Sequence, residues 1–552
     1  MTAQQVERVI QTLPFVKIES PFIEEGDLLI GGVGILDSGI PSTLVFRTEI
    51  HKAYPLKLLG QETIRFMNPS LIDYPHIMEG GFLCFHAPSG MNAEERLYSD
   101  LTQLYKWVDK YYLKRIKDEK YEHVVVSAGQ VDNSYYAVHF TQTDIEPKIG
   151  EYGYAFTSNL KVGIHKGKIV HNLLLQFIGE AHNRIIENCL WSQCYKRYEL
   201  KPCMYCMLDN IPAQHNKFAP KNYVELNTFL SMDQLKFIHM FEKSNCKKMA
   251  GEVVPLLLGY KIPGGKTHWQ ALMLKVGEFP IYGTPQWLDG KKTGMWYTLF
   301  EDGNIEWAMT FDSSYDNFFG RGRFGNKLAE KNILVIGIGA VGSMVARTLV
   351  KCGCKTLSLC DFDLKKPENV CRSEYSFLNG VCDKVYELAD MLSEESPHVN
   401  INVITEELEY KLKLTIRDEQ SIINLSQELS EYDLIFDCTT DDDTMMILEG
   451  LKLSNTIVNL SITNYAKELV CGFSPNISNF VKTAFGTILS NASTDLYEPT
   501  GCWSPTFKAS YNDIASMVQY AMKHIHSMIN GDEEISNFIL RDSESGLKIV
   551  KY

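Results

Sequence analysis

Residues 332–346 read NILVIGIGAVGSMVA. Ile333, Leu334, Val335 and Ile336 form a short unbroken apolar run, as a strand buried on both faces does. Gly337, Gly339 and Gly342 follow as G-x-G-x-x-G. Met344, Val345, Thr348 and Leu349 then recur at helical spacing. Strand, glycine turn and helix come in the order that builds a nucleotide site. Glycine lets the backbone turn tightly and approach phosphates, and the helix N-terminus adds positive partial charge. A second strand-like run, LSLCDFD (357–363), ends on Asp361, 19 residues past Gly342, where an acid bonds a ribose hydroxyl. Later runs LIFDCTT (434–440) and TIVNLSI (456–462) read as further strands of one sheet. The last helix has Asp513 as a candidate cap, an apolar face of Ile514, Met517, Val518, Ala521, Ile525 and Met528, and Gly531 as its stop.

A glycine fingerprint alone favours NAD or FAD. The residues after it argue for a triphosphate. Asp361-Phe362-Asp363 is a paired acid, Asn369-x-x-Arg372 follows, and Lys384 sits in GVCDKVYELA. Cations placed after an acidic nucleotide clamp suit a triphosphate and its pyrophosphate leaving group. Each cation alone reads as solvated surface; their order and spacing carry the signal.

Two cysteines stand in settings that suit acyl chemistry. Cys502 lies in EPTGCWSPTFKAS, between Gly and Trp and just before the last helix. In such a shaped loop a thiolate can reach a bound acyl-adenylate and release AMP. Cys84 lies near the other end, in PHIMEGGFLCFH. Before it come a short helix (Val6, Val9, Ile10, Leu13) and strand-like runs GDLLIGGVGIL, TLVFRTEI and ETIRFM. After it comes a helix with Leu97, Leu101, Leu104, Val108 and Tyr111 on one face.

The order GIGAVG, DFD, N-x-x-R and a helical Lys resembles the ubiquitin-activating-type adenylyltransferases, the ThiF/HesA/MoeB type, over about residues 325–530. That resemblance implies ATP and Mg2+ as cofactors. Asp361 would bind ribose, and Arg372 and Lys384 would contact phosphates. Gly337, Gly339, Gly342, Asp363 and Asn369 would complete the pocket. The family's magnesium acid falls at Asp441, because Thr440 occupies the place in DCTTD where the family has Asp. Arg321 or Arg323 would serve the partner protomer's nucleotide. The paired C-x-x-C zinc motif of sulfur-carrier activators is missing.

The N-terminal stretch resembles the core of ubiquitin-conjugating enzymes, whose His-Pro-Asn signature precedes the cysteine by eight residues. His76 takes the Asn position and Tyr74 that of the first His. An imidazole N–H could still donate to a thioester oxyanion. The expected catalytic set is Cys84, Cys502, His76 and Arg372.

The whole order resembles the fused activating/conjugating enzymes of bacterial CBASS antiphage operons. The fold implied is α/β and α+β: a ubiquitin-conjugating-like unit over 1–123, a linker unit over 124–318, and a Rossmann-like adenylation unit over 319–552. The linker reads as strand-like pieces (EHVVVSAG, SYYAVHF) with a helix near 172–188. The donor would be the C-terminus of a cGAS/DncV-like nucleotidyltransferase and the acceptors target lysines, with a homodimer through the adenylation unit. Alternatives are a conjugating enzyme for a bacterial ubiquitin-like protein, a sulfur-carrier adenylyltransferase, an NAD oxidoreductase, or a docking scaffold without activity. Cys189, Cys194, Cys203 and Cys206 (C-x4-C-x8-C-x2-C) could offer four thiolates to structural zinc. That spacing is not a standard one, and cysteine is often simply buried.

Composition bounds these readings. The chain has 552 residues, 45% apolar and 22% charged, which excludes a disordered, collagen-like or coiled-coil protein. Its 54 basic and 68 acidic residues give a formal charge of −14, a poor basis for nonspecific nucleic-acid binding. The N-terminus lacks a signal peptide's apolar core, and residues 332–346 are too short to span a bilayer. A bacterial cytoplasmic protein with reduced cysteines, binding neither membrane nor nucleic acid, is expected.

Overall fold

Thr2 starts the first helix, Ala3–Gln11, by accepting from the Gln5 N–H, while the Gln5 side chain returns a bond to the Thr2 backbone. The computed structural model describes residues 1–39, 43–84, 92–116, 124–164, 167–180, 186–197, 199–300, 303–404, 408, 411–412, 418–490, 498–499, 505–506 and 508–552. That first helix packs with Ala93–Trp107 on an antiparallel sheet, Val16–Glu25, Leu28–Ile35, Leu44–His51 and Ile64–Met67 in order. Its core runs from Val6 to Tyr111.

The middle of the chain is a second sheet. Its order is Thr267–Lys275, Val253–Lys261, Lys201–Met207, Tyr152–Ile164, Lys168–Gly179, Ser134–Phe140 and Met309–Asp312. Met273 N–H donates to the Glu306 carbonyl and Ala308 N–H to the Ala271 carbonyl, both at 2.9 Å. The sheet therefore curls until its two edges meet. The helix expected near 172–188 is instead strand Lys168–Gly179 followed by strand Ile186–Asn188. The run NLLLQFIG has no period that separates a buried strand from a buried helix, and the sheet decides it. Tyr315–Phe318 then leads out of this sheet.

The third sheet runs Asn400–Ile404, Thr356–Cys360, Asn332–Ile336, Leu434–Asp437 and Thr456–Ile462, all parallel. Three antiparallel strands extend it: Glu468–Phe473, Phe538–Ser543 and Gly546–Lys551. Alternate residues face opposite cores. Ile333 and Val335 join helices Ala340–Lys351 and Tyr511–Asn530, whereas Leu334 and Ile336 face Asp442–Gly450 and Ile477–Ser490. The last helix is capped by Ser510 rather than Asp513, which sits at its third position and returns the contact. Gly531 ends it at φ 89°.

The sheets touch through specific contacts. Ser192 N–H donates to the Pro397 carbonyl at 2.8 Å, and His398 bonds the Ser313 carbonyl at 2.7 Å while stacking on Trp191. Among the described residues no helix is long and apolar enough to cross a membrane.

Candidate functional site

Strand Asn332–Ile336 has its chain-order successor on one side and Leu434–Asp437 on the other. That is the point in an open parallel sheet where a crevice opens beyond the strand ends. A cavity of about 290 Å³ lies there. Gly337, Gly339, Asp361, Asp363, Asn369, Arg372 and Lys384 all line it.

The three glycines do different jobs. Gly337 has φ 77°, and a Cβ on it would lie 2.8 Å from Thr439 backbone. A Cβ on Gly342 would stand 2.0 Å from the Gly337 carbonyl oxygen, so this glycine lets the helix close on the loop and does not line the cavity. A Cβ on Gly339 meets nothing within 4 Å, which leaves room for a ligand to approach the backbone. Tyr375 Oη donates to the Ile338 carbonyl at 2.6 Å and fixes the loop from behind.

Asp361 accepts from the Ile338 N–H at 2.9 Å and the Asp363 N–H at 2.8 Å. Burial pushes its carboxyl above the usual range, and nearby Lys384 opposes that. Lys384 is buried at the start of helix Lys384–Glu395, 3.5 Å from Asp361 and 2.9 Å from Asp363. Asn369 accepts from the Lys366 N–H, shaping the short turn that carries Arg372 to the cavity. Paired acids, two convergent cations and a bare Gly339 fit a nucleotide triphosphate and a divalent cation.

Asp441 does not line the cavity. Its carboxylate caps helix Asp442–Gly450, accepting from the Thr444 N–H and Oγ1. Asp437 does not line it either; it is 1% exposed and held by Thr439 and Asn459. Lys366, Glu368, Ser373 and Thr439 line the cavity and were not singled out from the sequence; Thr440, which stands where the family has its acid, lines it too. Lys366 and Glu368 belong to the charged run DLKKPEN, which looks like plain surface. Arg321 and Arg323 do not line it; Arg323 lies over Tyr315 and pairs with Asp316.

Cys84 is exposed at the first sheet, away from this cavity. Its N–H donates to the His76 carbonyl at 2.7 Å, so the structure brings these two residues together. His76 has φ 60°, a left-handed conformation that Asn adopts more readily than His. Its imidazole meets Tyr111 Oη at 3.1 Å. A cavity of about 370 Å³ adjoins Cys84, floored by Arg96 between Glu62 and Asp100. Cys502 lies outside the described residues.

The zinc reading does not hold. Cys203 and Cys206 are three residues apart on one strand, so they point to opposite faces of the sheet. Cys189, Cys203 and Cys206 are buried in the core of the second sheet. Cys194 is exposed and meets Ser192 Oγ. Among the described residues no group of three or more His, Cys, Asp or Glu is placed to hold a metal.

Residues 315–461 match the ThiF family. The chain is 22% identical over 413 residues to an ATP-dependent ubiquitin transferase-like protein Cap2 of Enterobacter hormaechei, covering 71% of this chain and 66% of that protein. It thus spans less than two thirds of that relative's length. It is 28% identical over 125 residues to a ubiquitin-like modifier-activating enzyme 5 of Caenorhabditis briggsae, covering 22% of this chain and 28% of that one. The match to an E. coli MccB structure with ATP covers 41% of this chain and 64% of that one, at 14% identity and a TM-score of 0.30. The chain is therefore a mixed α/β multidomain protein whose residues 315–461 form a ThiF family domain, within a wider likeness to Cap2.

Proposed function

We propose that this chain is an ATP-dependent protein-conjugating enzyme. It adenylates the C-terminus of a polypeptide, carries it as a thioester on Cys502 and then Cys84, and passes it to lysines of target proteins. The observation that carries the reading is the cavity at the sheet's switch point, lined by Asp361, Asn369, Arg372 and Lys384. The likeness to Cap2 supports conjugation beyond adenylation.

The donor carboxylate attacks the ATP α-phosphorus, forming a C–O–P bond and releasing pyrophosphate. Asp361 would hold the ribose, and Arg372 and Lys384 would neutralise the leaving pyrophosphate. Mg2+, when bound, supplies further charge neutralisation at the phosphates. Asp441 is the acid that would hold it, and Asp363, which lines the cavity, would be the second. The Cys502 thiolate then attacks the acyl carbon and AMP leaves. Cys84 takes the acyl group by transthioesterification, and His76 would support the oxyanion. An acceptor amine finally displaces the Cys84 thiolate. We assign domains to 1–123, 124–318 and 319–552, with the first ubiquitin-conjugating-like. A homodimer through the adenylation domain, a bacterial cytoplasmic location, and a cGAS/DncV-like nucleotidyltransferase as donor in CBASS defence complete the reading.

The test is exchange of labelled pyrophosphate into ATP with the polypeptides of neighbouring genes added. Exchange that needs a polypeptide C-terminus, and is lost in Arg372→Ala, is expected. No exchange, with NAD rather than ATP raising the melting temperature, would overturn the proposal. Exchange driven by a ubiquitin-like polypeptide would keep the chemistry and change the donor.

A further inference from the structure

The loop before Cys84 is held by three different parts of the chain. Three consecutive carbonyls are each taken. Tyr74 O accepts from Lys217 Nζ at 2.5 Å, Pro75 O from Trp107 Nε1 at 2.9 Å, and His76 O from the Cys84 N–H at 2.7 Å. Lys217 belongs to the second sheet's unit, 143 residues further along the chain from Tyr74. Two more contacts from the same short segment flank it. His215 Nδ1 lies 2.8 Å from Asp73 Oδ1, and Lys221 pairs with Glu79. All three therefore land within three residues of His76.

The segment that reaches across is itself anchored. Val125 N–H donates to the Lys217 carbonyl at 2.6 Å, and Ala219 N–H donates back to the Val125 carbonyl at 3.0 Å. Phe218 and Ala219 are buried in the second unit. The Asp73 and His215 side chains are 68% and 47% exposed, and the Lys221 pair is exposed too, so those contacts are screened. Lys217 is half-buried, and its charged donor meets a neutral carbonyl, the stronger kind of hydrogen bond.

We propose that the middle unit is a positioning bracket for Cys84 as well as a spacer, with Lys217 as the positioning residue. The bracket fixes Tyr74-Pro75-His76, and the His76 carbonyl in turn fixes the backbone of Cys84. A residue of the middle unit thereby sets the geometry in which Cys84 accepts and gives up an acyl group. The acyl part of this inference rests on the proposed role of Cys84; the bracket does not.

The test uses the full chain carrying Lys217→Met, Lys217→Arg, or Lys221→Ala. Amide hydrogen exchange is followed on the peptide containing Cys84. The acyl group on Cys84 relative to Cys502 is read by mass spectrometry after co-expression with the neighbouring genes. Lys217→Met should speed Cys84 amide exchange about tenfold and lower the Cys84-to-Cys502 acyl ratio about tenfold. Lys217→Arg should restore both, because it keeps a charged donor. Lys221→Ala should show the same effects in weaker form, and it keeps the question answerable if Lys217→Met folds poorly. Unchanged exchange and an unchanged ratio in Lys217→Met would overturn the bracket. Faster exchange with no acyl group on wild-type Cys84 would leave the bracket standing and sink the conjugating role.

Discussion

At Gly342 an added Cβ would stand 2.0 Å from a carbonyl oxygen, and at Gly339 it would meet open space. Gly342→Ala should therefore destabilise the fold by about 2 kcal/mol or more. Gly339→Ala should melt like the wild type yet lose most of its stabilisation by ATP, since the methyl fills the space a phosphate approaches. Thermal melts with and without ATP check both, and a full ATP shift in Gly339→Ala would count against the site. Lys384 is a second case. It stands between Asp361, which burial pushes above the usual carboxylate range, and exposed Asp363. Lys384→Met should cost about 3 kcal/mol at neutral pH, because it leaves a buried carboxylate without its cation. The sign with pH follows from the raised folded value. Removing the lysine, which lowers the Asp361 carboxyl against its burial, raises it further above its unfolded value, so the variant's deficit grows as pH rises through that unfolded value and shrinks in acid. Urea unfolding at pH 5 and pH 7 should show the deficit shrinking at the lower pH.

Strand Lys201–Met207 puts Cys203 and Cys206 on opposite faces, so chelators should leave the melting temperature unchanged. A chelator-induced fall would restore the zinc reading. On nearby strand Ile186–Asn188, Glu187 is 1% exposed, its Oε2 has no hydrogen-bond partner among the described residues, and burial pushes its carboxyl up to about 8. The folded state keeps this proton while the unfolded chain loses it near 4.5, so stability falls as pH rises from about 4.5 to about 8. Glu187→Gln keeps the neutral shape, so it should match the wild type at pH 4.5 and exceed it by about 3 kcal/mol at pH 8. Equal stability of the two proteins at pH 8 would contradict the burial argument. These elements also show what the sequence could carry. The strand–glycine–helix unit and the order of Asp361, Asn369, Arg372 and Lys384 are local, so they were readable, and all of them but Gly342 line one cavity. Strand Val16–Glu25 was missed because bulges between Ile18 and Ile23 break its alternation. Lys168–Gly179 was misread because a buried run has no period of its own. The latch of Asp437 to Asn459 joins residues 22 apart across two strands, and no local pattern announces such a pair.

Across the whole molecule, the nucleotide cavity and Cys84 lie on two sheets that the middle unit joins. Its contacts reach the third sheet through Ser192 and His398 and the Cys84 loop through Lys217. The N-terminal cavity beside Cys84 and the nucleotide cavity share no lining residue, so the proposed transfer would carry an activated group from one to the other. A serine oxyester outlasts a thioester, and that makes the transfer observable. The decisive measurement is intact-protein and peptide mass spectrometry of Cys84→Ser, expressed with its neighbouring genes. A polypeptide C-terminus esterified to the introduced serine, dependent on Arg372 and Lys384, is expected. A bare serine beside a donor thioester on Cys502 would contradict transfer to Cys84.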